Sequence, residues 1–163
     1  MAVEDKSADS LKLDATDQVI LDVLRLDGRA AHAKIAKTVG LSAPAVGERI
    51  RKLEAAGIIT GYQAVLNPEA LGQAICAFVA ITPQPRNPAA RLVENLADLP
   101  EIEELHAVAG SYSYLAKVRV ASPEALDKFL DRLFVLDGVE RTQTMVVLKT
   151  NVERPPHLPF GNV

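Results

Sequence analysis

The stretch AHAKIAKTVGLSAPAVGERIRKLEAAG, residues 31–57, decides how the N-terminal part of the chain folds. Ile35, Ala36 and Val39 fall on one side of a short helix over roughly 31–38, and Gly40 follows as a left-handed turn residue. Leu41 plugs the turn, and Ser42 is a good N-cap for a helix running to about Ala56, where Gly57 stops it. Working upstream, Asp14 stands before Val19, Ile20, Val23, Leu24 and Leu26, apolar positions at helical spacing. That predicts a first helix capped by Asp14 and ended at Gly28. Three short helices, the last two joined by a Val-Gly-Leu-Ser turn, form a helix-turn-helix pattern.

Charge supports that pattern only when it is read locally. The 163-residue chain carries a net charge of −3, which by itself argues against a polyanionic partner. Between Arg29 and Lys52, however, Arg29, Lys34, Lys37, Arg49, Arg51 and Lys52 oppose the single acid Glu48, a local charge of +5. A basic patch on an otherwise acidic chain suits phosphate contact from one end, so the expected partner is double-stranded DNA.

The third helix supplies the reading surface. At 100° per residue Val46, Ile50 and Leu53 share a buried stripe, while Pro44, Glu48, Arg51 and Ala55 lie opposite, flanked by Ala45, Gly47 and Lys52. Small residues near the N-terminal end of that face allow close approach to a major groove. Arg51 then reaches a guanine edge or a phosphate, and Ser42 and Lys52 hold phosphates. Glu48 either accepts from a cytosine amino group or pairs with Arg51 one turn away. Arg49 borders the buried stripe and is partly structural. The expected DNA-contacting set is Arg29, Ser42, Pro44, Ala45, Gly47, Glu48, Arg49, Arg51 and Lys52.

Past Gly57 the texture changes. Ile58, Ile59, Tyr62 and Val65 alternate around Gly61, which predicts a short wing-like strand leading into a linker near Asn67–Gly72. A strand is expected over 74–82, a helix over 88–99 after the cap Asn87-Pro88, strands over about 102–109 and 112–120, a helix from Ser122-Pro123 to Gly138, and a last strand over about 139–151. The order β-α-β-β-α-β is the split, ferredoxin-like arrangement, an α+β fold with helices on one face of an antiparallel sheet. The other face needs cover too. The first strand is apolar on both sides, and the last carries Met145 and Val147 on one side with Val146 and Leu148 on the other, so self-association is expected.

Other chemistries find little footing. His32, His106 and His157 are scattered and Cys76 is alone, so there is no zinc spacing and no internal disulfide; no metal or cofactor is expected. No phosphate-loop pattern or nucleophile elbow is present, so an enzyme is not expected. The polar, acidic N-terminus is not a signal peptide, and the longest apolar run, AICAFVAI at 74–81, is far shorter than the ~20 residues that span a bilayer. A cytoplasmic protein with no membrane partner is the expectation.

Two motifs then carry a resemblance. The first runs through Leu13-Asp14, Asp17, Ile20-Leu21, Asp27-Gly28-Arg29, Ile35-Ala36, Gly40-Leu41-Ser42, Val46, Arg49, Leu53-Glu54, Gly57-Ile58-Ile59 and Gly61-Tyr62. The second runs through Val108-Ala109-Gly110-Ser111-Tyr112-Ser113-Tyr114 and Leu136-Asp137-Gly138-Val139-Glu140-Arg141-Thr142-Gln143-Thr144. Together they resemble the leucine-responsive/asparagine regulator (Lrp/AsnC) family from residue 13 to about 151.

The resemblance implies a winged helix-turn-helix followed by a ferredoxin-like domain that binds a small effector, usually an amino acid, at contacts between C-terminal domains. It implies homodimers through the C-terminal sheets, commonly assembled into octamers. The family's ligand-loop glycine matches Gly110, and its threonine-bearing last strand matches Thr142 and Thr144. A glycine turn offers backbone N–H groups to a carboxylate, and hydroxyls supply further polar contacts. Members often show Gly-Asp-Tyr-Asp here, where an acid holds the ligand's ammonium group; this chain has Gly110-Ser111-Tyr112-Ser113, which leaves Glu103 or Glu104 as the nearest acid. His106 is either a packed strand residue or part of the lining. The expected effector set is Glu104, His106, Val108, Ala109, Gly110, Ser111, Tyr112, Ser113, Thr142 and Thr144. A second departure is Ala31, where the family tends to place a capping Ser or Thr.

The expected organisation is therefore an arm over 1–12, a DNA-binding domain over 13–62, a linker over 63–73, an effector and oligomerisation domain over 74–152, and a proline-rich tail over 153–163. The expected function is a site-specific, effector-responsive transcriptional regulator. Its rivals are an architectural DNA-wrapping protein with little ligand control and a regulatory domain of a metabolic enzyme.

Overall fold

Local capping chemistry places the helices of the computed structural model, which describes residues 13–85 and 89–159. The expected arm over 1–12, the Asn87-Pro88 cap and the last four residues of the tail lie outside them. Helix α1 (Ala15–Leu26) starts with a reciprocal capping box, in which the Asp14 carboxylate accepts from the Asp17 N–H at 2.8 Å and the Asp17 carboxylate from the Asp14 N–H at 3.2 Å. Asp27 closes the helix with its N–H on the Val23 carbonyl, so the helix ends at Leu26, two residues before Gly28. Helix α2 (His32–Val39) starts at Ala31 with no side-chain cap, as that residue requires, and ends at Gly40 in the left-handed region at φ 69°. Helix α3 (Ala43–Ala55) is capped by the Ser42 hydroxyl, which accepts from the Ala45 N–H at 3.3 Å.

These helices close on Ile20, Leu21, Ile35, Ala36, Val46, Ile50 and Leu53, all buried. Burying each such aliphatic side chain contributes roughly 1.5–3 kcal/mol. Leu158 from the proline-rich tail packs against this cluster, and the described residues 153–159 belong to the same compact unit as residues 13–65. Leu158 thus anchors the described part of the tail to the helical core.

The expected wing strand does not form. Residues 58–66 run without strand pairing, because among the described residues no second strand lies alongside to accept their backbone groups. Asn67 then accepts from the Glu69 N–H at 3.0 Å, and the turn it starts opens the second unit, Leu66–Val152.

That unit holds β1 (Ile75–Pro83), α4 (Ala89–Ala97), β2 (Ile102–Ala107), β3 (Tyr114–Val120), α5 (Pro123–Phe134) and β4 (Val139–Val146). All three strand pairs are antiparallel and the order is β2-β3-β1-β4, the ferredoxin-like topology expected. Alternation divides the faces. Ala77, Val79 and Ile81 of β1 and Tyr114, Ala116, Val118 and Val120 of β3 meet Leu92 and Leu96 of α4 and Leu126, Phe129 and Leu133 of α5 in one buried core. The opposite face carries Phe78, Leu115, Lys117, Arg119 and Met145, with no helix of the described part of this unit over it.

Strand β4 ends at Val146 rather than near 151. Its last ladder bond runs from the Val147 N–H to the Cys76 carbonyl at 2.9 Å, and β1 offers no partner beyond. Likewise β2 stops at Ala107 and β3 starts at Tyr114, since a bond from the Val108 N–H to the Ser113 carbonyl, 2.9 Å, already closes the loop between them.

Candidate DNA-reading helix and effector loop

Helix α3 presents the expected surface. Val46, Ile50 and Leu53 are buried, whereas Pro44, Glu48, Arg51 and Lys52 are exposed. Ala45 and Gly47 are half-buried on its flanks, and Arg29 and Ser42 are exposed nearby in sequence. Arg51 lies back along its own helix: its Nη2 meets Glu48 at 2.8 Å, and its Nε donates to the Gly47 carbonyl at 3.4 Å. Both partners are well exposed, so this pair contributes little and can open toward DNA.

Arg49, one of the expected DNA contacts, has partners within the helical unit. Its Nη1 sits 2.7 Å from an oxygen of Asp14 and 2.7 Å from one of Asp17, bridging both members of the α1 capping box. Asp17 is the one charged residue among those described that is buried. The Asp17 N–H and then the Arg49 guanidinium hold the Asp14 carboxyl below its usual range, and the two carboxylates raise the Arg49 pKa. The guanidinium is therefore committed to fixing α3 against α1. The signal was present as Asp14-x-x-Asp17 with an arginine bordering the buried stripe of α3, but the pairing spans 32 residues.

Two further contacts shape the flank of α3. The Tyr62 hydroxyl donates to Glu54 at 3.0 Å, and burial together with that carboxylate raises its pKa, which keeps it a donor. A Cβ at Gly47 would lie 3.2 Å from Nδ1 and 3.3 Å from Cε1 of His32, so the imidazole rests directly on the glycine.

In the second unit the loop 108–113 is exposed at Val108, Ala109, Gly110, Ser111 and Ser113, with Tyr112 half-buried. Gly110 has φ +149°, a conformation that L side chains rarely adopt. The Ser113 N–H donates to the Ile81 carbonyl at 3.2 Å, and the Tyr112 hydroxyl bonds Gln143, a contact absent from the expected effector set.

Register separates the remaining candidates. Thr142 pairs with Ile81 and Thr144 with Val79, which places both threonines on the helix-covered face. His106 pairs with Leu115 and Glu104 with Lys117, on the open face. Within one chain the two groups therefore point to opposite sides of the sheet.

The acids are also engaged. Glu104 contacts His106 and Lys117 at 3.1 Å each, and Glu103 contacts Arg119 at 2.6 Å. The hydrogen bonds from His106 and then Lys117 hold Glu104 below its usual range. Glu104 stands three residues before the end of β2, on the order of 10 Å along the strand. Among the described residues no group of His, Cys, Asp and Glu could hold a metal ion, and no helix is long and apolar enough to cross a membrane.

Known proteins share both halves. Residues 13–54 match the AsnC-type helix-turn-helix domain and residues 76–157 the Lrp/AsnC ligand-binding domain. The chain is 41% identical over 151 residues to the HTH-type transcriptional regulator LrpA of Mycobacterium tuberculosis, covering 90% of this chain and 97% of that one. It is 40% identical over 150 residues to the leucine-responsive regulatory protein of Escherichia coli, covering 90% and 92%. Among solved structures, the feast-or-famine regulatory protein of M. tuberculosis complexed with L-methionine is 40% identical with a TM-score of 0.85, covering 90% of this chain and 99% of that one. A transcriptional regulator of Neisseria meningitidis in complex with L-methionine is 30% identical with a TM-score of 0.85, covering 91% and 97%. With an AsnC-type helix-turn-helix ahead of a ferredoxin-like ligand-binding unit, the chain belongs to the Lrp/AsnC family of transcriptional regulators.

Proposed function

We propose that the chain is a sequence-specific DNA-binding transcriptional regulator whose DNA affinity or oligomeric state responds to an amino acid. The observation that carries the DNA half is α3 itself. It exposes Pro44, Glu48, Arg51 and Lys52 while Arg49 locks its inner side to α1. Arg51 reads a base edge or phosphate once freed from Glu48; Ser42, Lys52 and Arg29 hold phosphates.

The effector half rests on the loop 108–113. Exposed backbone amides around Gly110 suit a carboxylate, and Ser111 and Ser113 add hydroxyls. Two structural relatives carry L-methionine, which supports an amino acid as the class. Because Thr142 and Thr144 face away from Glu104 and His106, a site using both groups takes them from two chains, which favours effector binding at a contact between C-terminal domains.

The open sheet face, with Phe78 half-buried and Met145 44% exposed, supports a homodimer through that face, assembling further toward an octamer. Ligand wedged between C-terminal domains then changes dimer–dimer geometry and the spacing of the DNA-reading helices. The protein acts in the cytoplasm, without catalysis.

Selecting binding sites from a random duplex library tests the DNA half. A thermal-shift screen of the twenty amino acids, with each hit retested for operator affinity and assembly size at fixed salt, tests the effector half. A ligand that stabilises the protein yet changes neither operator affinity nor assembly size sinks the allosteric mechanism. Failure to select any duplex above background sinks the DNA reading.

A further inference from the structure

On the flank of α3, one position of the reading helix carries no side chain of its own. Gly47 lies one turn after Pro44 and one turn before Arg51, and the space beside it is taken by the imidazole of His32, the first residue of α2. A Cβ at Gly47 would meet Nδ1 at 3.2 Å and Cε1 at 3.3 Å, so that edge of the ring is pressed on the helix, while Nε2 is not among the atoms within 4 Å of that position. His32 is exposed, and its ring makes no hydrogen bond or ion pair with another described residue. It shares one open hollow of about 650 Å³ with Pro44, Gly47 and Arg51. The imidazole is thus part of the surface that α3 presents, held by packing and left with its polar edge unused.

We propose that His32 is a specificity-determining residue, whose ring reads the N7 of a purine in the major groove from the place where Gly47 has no side chain. The inference rests on the DNA-binding reading above. Three features support a base contact over a bystander role. Packing against α3 restricts the ring, so less freedom is lost when it bonds a base. A glycine inside a helix costs roughly 0.5–1 kcal/mol relative to alanine, yet here it provides the room the ring occupies. Arg51 must first release Glu48 before it reaches a base, whereas the His32 ring makes no hydrogen bond or ion pair with another described residue and has a donor available at once. With Nε2 protonated, an imidazole donates to purine N7, an acceptor that pyrimidines lack in the major groove.

The test uses the full chain and a duplex selected by the wild-type protein, with each purine replaced in turn by its 7-deaza analogue, which exchanges N7 for a C–H. One purine per half-site is expected to cost the wild type about fivefold to tenfold in affinity on losing N7. His32→Phe keeps the packing on Gly47 but has no N–H, and His32→Ala removes the ring. Both variants are expected to bind more weakly than wild type and to be indifferent to N7 at that same purine. A deaza profile in both variants identical to wild type overturns the proposal, as does a loss in His32→Ala that His32→Phe fully restores, which would mark a packing role. If the wild type selects no duplex at all, the DNA reading itself fails and this inference with it.

Discussion

Removing the Arg49 guanidinium leaves the Asp17 carboxylate in a poor position. That side chain is 12% exposed and, apart from Arg49, its carboxylate accepts only from the Asp14 N–H at 3.2 Å among the hydrogen bonds described. Breaking a fully buried ion pair by deleting one partner costs 3–5 kcal/mol, and exposed pairs contribute at most about 1 kcal/mol. Arg49 is 32% exposed, so water reaches part of the gap, and Arg49→Ala should cost about 2 kcal/mol. For a unit of this size 1 kcal/mol moves the melting temperature by about 4–8 °C, so a drop of roughly 10 °C is expected in the transition of the helical unit by calorimetry. Asp17→Asn in the same chain should return part of that loss, since a neutral amide leaves no uncompensated charge, and the two substitutions should be clearly less than additive. Operator affinity, measured well below the melting point, should survive. The reasoning is refuted if Arg49→Ala melts like wild type while operator affinity collapses, because the guanidinium would then be acting on DNA.

Other perturbations separate the two units. Arg51→Ala should weaken operator binding and leave amino-acid stabilisation in a thermal-shift assay unchanged; an unaltered gel shift would mean that α3 faces DNA differently. Gly110→Ala should do the reverse, because a Cβ at φ +149° strains the effector loop while leaving α3 untouched. Met145→Glu places a charge on the open sheet face and should shift the assembly toward smaller species in sedimentation; an unchanged mass argues against that face as the dimer contact. The folded-state pKa of Asp14 is depressed below 3.8, so the stability it supplies is present above that value and is lost as pH falls below it. Asp14→Asn should therefore flatten the loss of stability below about pH 4, and equal acid unfolding curves for the two proteins would contradict the Arg49 clamp.

Much of the site was readable because its signals are local. Ser42 and Asp14 announce helix starts through side chains that reach three residues ahead, and Gly40 announces a turn through a conformation that other residues resist. The stripe of Val46, Ile50 and Leu53 fixes which side of α3 is outward, and hence that Arg51 and Lys52 are available. Exceptions arise where a partner lies elsewhere in the chain. The alternation at 58–65 suggests a strand, but a strand exists only with a neighbour to bond, and the described residues supply none. Leu158 sits in a proline-rich tail with no periodicity of its own, and it packs on the helical core.

The sequence by itself determined that the protein is a helix-turn-helix followed by a split βαβ unit, and that the basic residues gather on and just before its second and third helices. Periodicity, caps and charge act over one or two turns, so they are written in neighbouring residues. Only the tertiary structure decided what individual polar side chains do. It placed Arg49 against Asp14 and Asp17, set Thr142 and Thr144 on the opposite face from Glu104 and His106, and laid His32 over Gly47. Each of these depends on how separate elements pack and on strand register, where a one-residue shift reverses every side chain and no local pattern records the distant partner.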